Sequence, residues 1–163
     1  MSQVMILMGS DSDIDYMKAA VEELKSAGVS FDIHVASAHR TPHRVMKLVT
    51  EAENGDCKVI IAGAGGAAHL AGVIASHTIL PVIGVPLPTL GLGGADALLA
   101  TVQMPRGVPV ATVGMGNSAN AALLAISIIG TADERLRNWL RDYRKAFEKK
   151  ILEKDAKIKQ QFQ

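Results

Sequence analysis

Short apolar runs of strand length alternate five times with stretches of helical periodicity, and this constrains the fold more than any other feature of the chain. Residues 4–8 are an unbroken V-M-I-L-M run, the pattern of a strand covered on both faces. Ile14, Met17, Val21 and Leu24 then fall on one helical stripe, which Gly28 stops. Phe31, Ile33 and Val35 alternate with Asp32 and His34, a strand signature. Thr41-Pro42 supplies a helix start, with threonine as N-cap and proline at the first helical position. Val45, Leu48, Val49 and Ala52 continue that helix to Gly55. Residues 59–62, 82–85 and 108–113 read as the third, fourth and fifth strands. Pro81 and Pro86 bracket the fourth, and Pro109 marks the fifth as an edge strand or a strand start. An alanine-rich helix begins at the glycines of residues 63–66, and Asn117-Ser118 caps another over residues 119–129. From Asp133, the stripe Leu136, Leu140, Tyr143, Phe147 and Ile151 marks a long, charged amphipathic helix running to about residue 159.

Strand–helix alternation with short connections implies a parallel sheet, right-handed crossovers and helices on both faces. The 163 residues suffice for one α/β domain, with a core over about residues 4–130 and the C-terminal helix as an addition. No repeat or interdomain linker interrupts the chain.

The charges are unevenly placed. Residues 133–163 hold 16 of the 33 charged side chains, whereas residues 57–130 hold only Lys58, Asp96 and Arg106. A membrane span needs about 20 consecutive apolar residues. The best run, residues 119–130, is shorter and contains Asn120, so no span is expected. Two readings of the charge-poor stretch stand: burial between subunits of an obligate homo-oligomer, or a central sheet wrapped by small-residue helices. A net charge of +1 supplies no field for nucleic acid or an anionic membrane, and 4% aromatics leave few stacking platforms for bases. A single cysteine, Cys57, excludes an internal disulfide and a cysteine-cluster metal site. No signal-peptide pattern occurs in residues 1–30, which points to a cytoplasmic location.

In an open parallel sheet, ligands bind beyond the carboxyl ends of the strands. That rule selects five loops: residues 9–13, 37–42, 63–69, 86–94 and 114–120. The first, G-S-D-S-D, leads from strand into helix, where free N–H groups and the helix dipole favour an anion. Ser10 and Ser12 add hydroxyls suited to a phosphate, and plain helix capping by Ser and Asp accounts for the same residues. No Walker A lysine and no G-x-G-x-x-G with its distal acid is present, which removes the usual signatures of ATP hydrolysis and dinucleotide binding. His39 precedes Arg40 in the second loop, pairing a side chain that exchanges protons near neutrality with a permanent bidentate phosphate partner. A loop histidine capping a carbonyl is the plainer alternative. His39 and His43 sit at helical spacing, yet no nearby carboxylate or H-E-x-x-H supports a metal, and none is expected. Gly65, Gly66 and His69 belong to a loop nearly free of side chains, able to approach a ligand or to pack tightly. His34 and His77 read as structural, and Arg106 fits either an interface or the site. Spacing alone therefore gives a phospholigand-binding α/β domain with an acid–base histidine.

Four segments in order carry a more specific likeness: G-S-D-S-D at residues 9–13, S-A-H-R-T-P at 37–42, A-G-A-G-G-A-A-H-L at 62–70 and Q-M-P-R-G at 103–107. With N-A-A-L-L at residues 120–124, the chain resembles the PurE family over about residues 4–152. The resemblance implies a flavodoxin-like three-layer α/β/α sandwich with a parallel sheet and a dihedral homo-octamer. It also implies a role without cofactor or metal as an N5-carboxyaminoimidazole ribonucleotide (N5-CAIR) mutase of purine synthesis. It implies phosphate contacts from Ser10, Ser12 and Arg40, ribose contacts from Asp13, catalysis by His39, and a loop of Gly65, Gly66 and His69 over the imidazole. The A-A-H-L form resembles the mutase class more than the carboxylase class that takes free carbon dioxide. Substrate handed over by N5-CAIR synthetase belongs to the same expectation. Ala71, where many relatives have proline, and the glycine-rich residues 88–94 depart from the pattern. Two rivals are an aminoimidazole ribonucleotide carboxylase and a non-catalytic flavodoxin-like binding module. A flavin sandwich would need aromatic residues in the ligand loops, whereas Trp139 and Tyr143 lie in the last helix and Tyr16 in the first.

Overall fold

The computed structural model describes residues 2–89 and 92–162. Among the described residues, five strands, β1 (Val4–Met8), β2 (Phe31–Val35), β3 (Val59–Gly65), β4 (Val82–Leu87) and β5 (Ala111–Thr112), form one parallel sheet. Their order, β2-β1-β3-β4-β5, is that of flavodoxin-like folds, with the switch point between β1 and β3. Val4 lies opposite both Phe31 and Val59, and Met8 opposite Val35 and Gly63. This register brings the loops after β1, β2 and β3 out at one level.

Alternate residues of each central strand face opposite layers, which is why these strands are apolar throughout. Val4, Ile6, Val59, Ile61, Ile83 and Val85 face a core closed by α1 (Ile14–Ser26), α5 (Ser118–Gly130) and the start of α6 (Glu134–Gln161). Met5, Leu7, Ile60, Ala62 and Val82 face the other layer, built on α2 (Pro42–Glu53) and α3 (Leu70–Ala75). On this face Gly84 is bare because Thr101 of α4 (Ala95–Val102), Val110 and Ala71 fill the space a side chain would take.

Three boundaries differ from the sequence expectation. β5 pairs only through residues 111 and 112, because Pro109 brings no N–H to the ladder. β4 continues through Pro86 to Leu87: the Pro86 carbonyl accepts from the Gly116 N–H (2.8 Å), so its nitrogen faces the side where the β5 ladder has already ended. β3 likewise runs to Gly65, and α3 starts only at Leu70, because Gly66 turns the chain at φ +57°.

The C-terminal helix is anchored over its first turns. Leu136 is fully buried, Arg135 donates to the Ala27 carbonyl (2.7 Å) and the Tyr143 hydroxyl donates to Glu23 on α1 (2.7 Å). Burial and the Glu23 carboxylate push the Tyr143 phenol up to about 12. Past this point Phe147, Ile151, Leu152 and Ile158 are exposed. Among the described residues, no helix is long and apolar enough to cross a membrane.

Candidate active site

The loops following β1, β2, β3 and β4 enclose a cavity of about 420 Å³. Ser10, Ser12, Asp13, His39, Arg40, Gly65 and Thr89 line it, with Ser37, Ala38, Ala64, Ala67 and Leu70.

The first loop is a single 3-10 turn, Asp11–Asp13, leading into α1. Asp13 accepts from the Ser10 N–H (3.0 Å), closing the turn on itself, and is 5% exposed. Burial raises the Asp13 carboxyl above the usual carboxylate range, opposed by the Ser10 and Gly9 N–H groups and by the Arg40 charge. The Ser12 hydroxyl donates to that of Ser10 (3.0 Å), so both line the same wall. Capping and ligand reading, set as alternatives by the sequence, thus coexist: Asp13 caps while the serine hydroxyls face the cavity.

The second loop is closed by Thr41. Its hydroxyl accepts from the Ser37 N–H (2.9 Å) and donates to the Ser37 carbonyl (3.2 Å). Thr41 occupies the N-cap position of α2, but its side chain makes no capping bond to the helix because this loop uses it. The Ser37 hydroxyl accepts from the Arg40 N–H (3.2 Å), and Arg40 Nη2 donates to the Gly9 carbonyl (3.0 Å), joining the first loop to the second. His39 and Arg40 are held side by side.

The third loop approaches from the opposite side. His69 Nδ1 lies 2.8 Å from His39 Nε2, with the rings edge to face. One ring must donate and the other accept, so the tautomer of His39 and that of His69 are linked. A Cβ on Gly65 would collide with the Thr89 side chain, which explains the glycine by close approach.

Of the residues expected at the site, Ser10, Ser12, Asp13, His39, Arg40 and Gly65 converge on one cavity. His69 joins them through His39, and Gly66 is buried behind the loop it turns. The loop at residues 114–120 does not line the cavity; Asn117 caps α5 instead. In the loop at residues 86–94, residues 90 and 91 lie outside the described residues. His77 bonds the Val73 carbonyl through Nδ1 (2.8 Å), as a structural histidine would.

The model of the family described as AIR carboxylase matches residues 3–150. This chain belongs to the AIR carboxylase family. It is 50% identical over 155 residues to an N5-carboxyaminoimidazole ribonucleotide mutase of Pyrococcus horikoshii, covering 95% of this chain and 88% of that protein. To the Thermotoga maritima protein of the same name it is 48% identical over 160 residues, covering 98% and 94%. A phosphoribosylaminoimidazole carboxylase of Saccharomyces cerevisiae is 50% identical over 153 residues, 94% of this chain but 27% of that longer protein. The solved structure of Treponema denticola PurE superposes with a TM-score of 0.87 at 34% identity, covering 94% and 96% of the two chains.

Within this AIR carboxylase fold, sequence reasoning singled out neither Ser37 nor Thr89. Ser37 opens the S-A-H-R-T-P motif, and its hydroxyl orients the Arg40 backbone. Thr89 lies in a loop that the strand-end rule had selected, but nothing in its own residue type distinguishes it there.

Proposed function

We propose that this member of the AIR carboxylase family is an N5-CAIR mutase, an isomerase that moves a carboxylate from the exocyclic N5 to C4 of the imidazole in purine synthesis. The observation that carries the reading is the junction of His39 and Arg40 with the Ser10–Ser12 hydroxyl pair in one cavity. An anion clamp and a proton carrier are then one residue apart. Ser10, Ser12 and Arg40 take the 5′-phosphate, and Asp13, an acceptor at the cavity edge, takes the ribose hydroxyls. Gly65 forms the wall over the imidazole, Gly66 turns the loop behind it, and His69 of the same loop holds the His39 ring.

His39 delivers a proton to N5, which breaks the N5–carboxylate bond and releases carbon dioxide and aminoimidazole ribonucleotide inside the pocket. C4 then attacks that carbon dioxide, and the C4 proton returns to His39, so no proton is gained or lost overall. Ala64, Gly65, Ala67 and Leu70 leave a small apolar space that keeps the gas beside C4, replacing a bimolecular encounter by proximity.

The whole chain acts as one catalytic domain in the cytoplasm. It assembles as a homo-octamer, with transient hand-over of substrate from N5-CAIR synthetase. The exposed apolar side chains Ile79, Leu99, Val102 and Met115 of the charge-poor stretch support burial between subunits. Sedimentation at micromolar concentration tests this: a stable monomer overturns it.

The catalytic reading is tested by an ultraviolet assay following interconversion of the N5- and C4-carboxylated isomers without added bicarbonate. Turnover of aminoimidazole ribonucleotide only with bicarbonate would instead assign the carboxylase activity for which the longer yeast relative is named.

A further inference from the structure

The polar groups of the cavity differ in how far the protein itself satisfies them. The Ser10 and Ser12 hydroxyls bond each other, Ser37 receives the Arg40 N–H, Arg40 reaches the Gly9 carbonyl, and His39 pairs with His69. Thr89 is the exception. Its backbone N–H is bonded to the Leu87 carbonyl (2.9 Å), which fixes the residue, but its hydroxyl has no hydrogen-bond partner among the described residues. The side chain lies over the Gly65 α-carbon, and a Cβ there would strike it. Among the described residues it is also the one lining side chain contributed from beyond β4, and the charged anchors come from the β1 and β2 loops on the other side of the cavity.

Thr89 therefore puts an uncommitted donor beside the walls of smallest side chains, Ala64, Gly65 and Ala67. Resting on the mutase reading above, we infer that the Thr89 hydroxyl is a substrate-positioning group that hydrogen-bonds the migrating carboxylate. It keeps the released carbon dioxide oriented toward C4. Neither the phosphate nor the ribose needs this group, since the opposite wall serves both. Gly65 is then doubly constrained, because any side chain would displace the hydroxyl as well as crowd the ring. No covalent bond to Thr89 forms or breaks; its hydrogen bond tightens as the carboxylate leaves N5, which is why its loss acts on kcat and not on KM.

The test compares Thr89→Val, which keeps the shape but deletes the hydroxyl, with Thr89→Ser, which restores it. For each, kcat and KM are measured with the N5-carboxylated nucleotide, along with the fraction of turnovers ending as free aminoimidazole ribonucleotide and carbon dioxide. Removing one hydrogen bond to an anionic group should lower kcat on the order of tenfold, leave KM within about twofold and raise the abortive fraction. Thr89→Ser should recover most of both. Wild-type kcat and partition in Thr89→Val, or a change confined to KM, overturns the assignment of Thr89 while leaving the mutase reading intact. Absence of interconversion by the wild-type protein overturns both.

Discussion

The two sides of the cavity are built differently. On the β1–β2 side, side chains and backbone are tied to each other: Thr41 closes the second loop, Asp13 closes the first, and Arg40 bridges the two. On the β3–β4 side the wall is Ala64, Gly65, Ala67 and Thr89, held by close packing between loops. A network of bonds suits a handle whose position must not change, such as a sugar phosphate. A wall of small residues suits a reacting group that must separate and rejoin within a closed volume. The contrast teaches that damage on the first side should appear as lost affinity, and damage on the second as lost turnover.

His39 stands at the meeting of the two sides, and its replacement should have the largest effect. His39→Asn removes the proton carrier but keeps a polar side chain on an exposed loop, so the fold should survive. Turnover should fall on the order of 10²–10⁴-fold, with nucleotide binding by calorimetry little changed. Wild-type turnover in this variant would remove the acid–base assignment. Arg40→Ala comes next and probes the anchored side alone. Loss of a guanidinium–phosphate pair should raise KM about 10- to 100-fold, with kcat within a few-fold. A fall in kcat at unchanged KM would erase the distinction between the two sides.

Gly65→Ala probes the opposite wall. The new methyl would overlap the Thr89 hydroxyl oxygen and lie 3.1 Å from the Leu87 carbonyl, so the Thr89 side chain must swing away or the loop must move by about an ångström or more. Turnover should drop by about 10- to 100-fold, in keeping with the sensitivity of reacting geometry to ångström-scale shifts, while KM holds. Adding Thr89→Gly relieves the clash but not the missing hydroxyl, so recovery in the double variant should be partial.

The layered fold was legible because its causes are local. Apolar runs of strand length and helical stripes report burial on two faces, and Gly28, Gly55 and Asn117 punctuate them as expected. The anchored side of the site was legible for a similar reason: Ser10, Asp13, His39 and Arg40 lie in contiguous motifs at strand ends. What escaped the sequence depends on contacts between distant segments. Thr41 reads as a helix cap, but the competing partner at Ser37 wins its hydroxyl. The importance of Thr89 appears only when β3 and β4 lie side by side and Gly65 comes under it. The short β5 escaped because apolar character marks residues 108–113 throughout, whereas Pro109 decides where pairing can begin.

Asp13→Asn should have the smallest effect on turnover, and it separates the architecture of the anchored side from its charge. The amide oxygen can still accept from the Ser10 N–H, so the first loop should keep its shape, and KM should rise only a few-fold because one acceptor remains for the ribose. The pH response is the sharper readout. Burial raises the Asp13 carboxyl in the folded protein, so the native state holds this proton more tightly than the unfolded chain does. Its contribution to stability is therefore full at low pH, where both states are protonated there, and declines as pH rises from the unfolded carboxylate value through the raised folded value. Asp13→Asn lacks this titration. The stability of wild type relative to the variant, from urea midpoints, should fall across that acidic window and level off above it. A difference that instead grows with pH would mean that the Ser10 and Gly9 N–H groups and Arg40 outweigh burial, making the anchored side a charge-stabilising cradle even when empty.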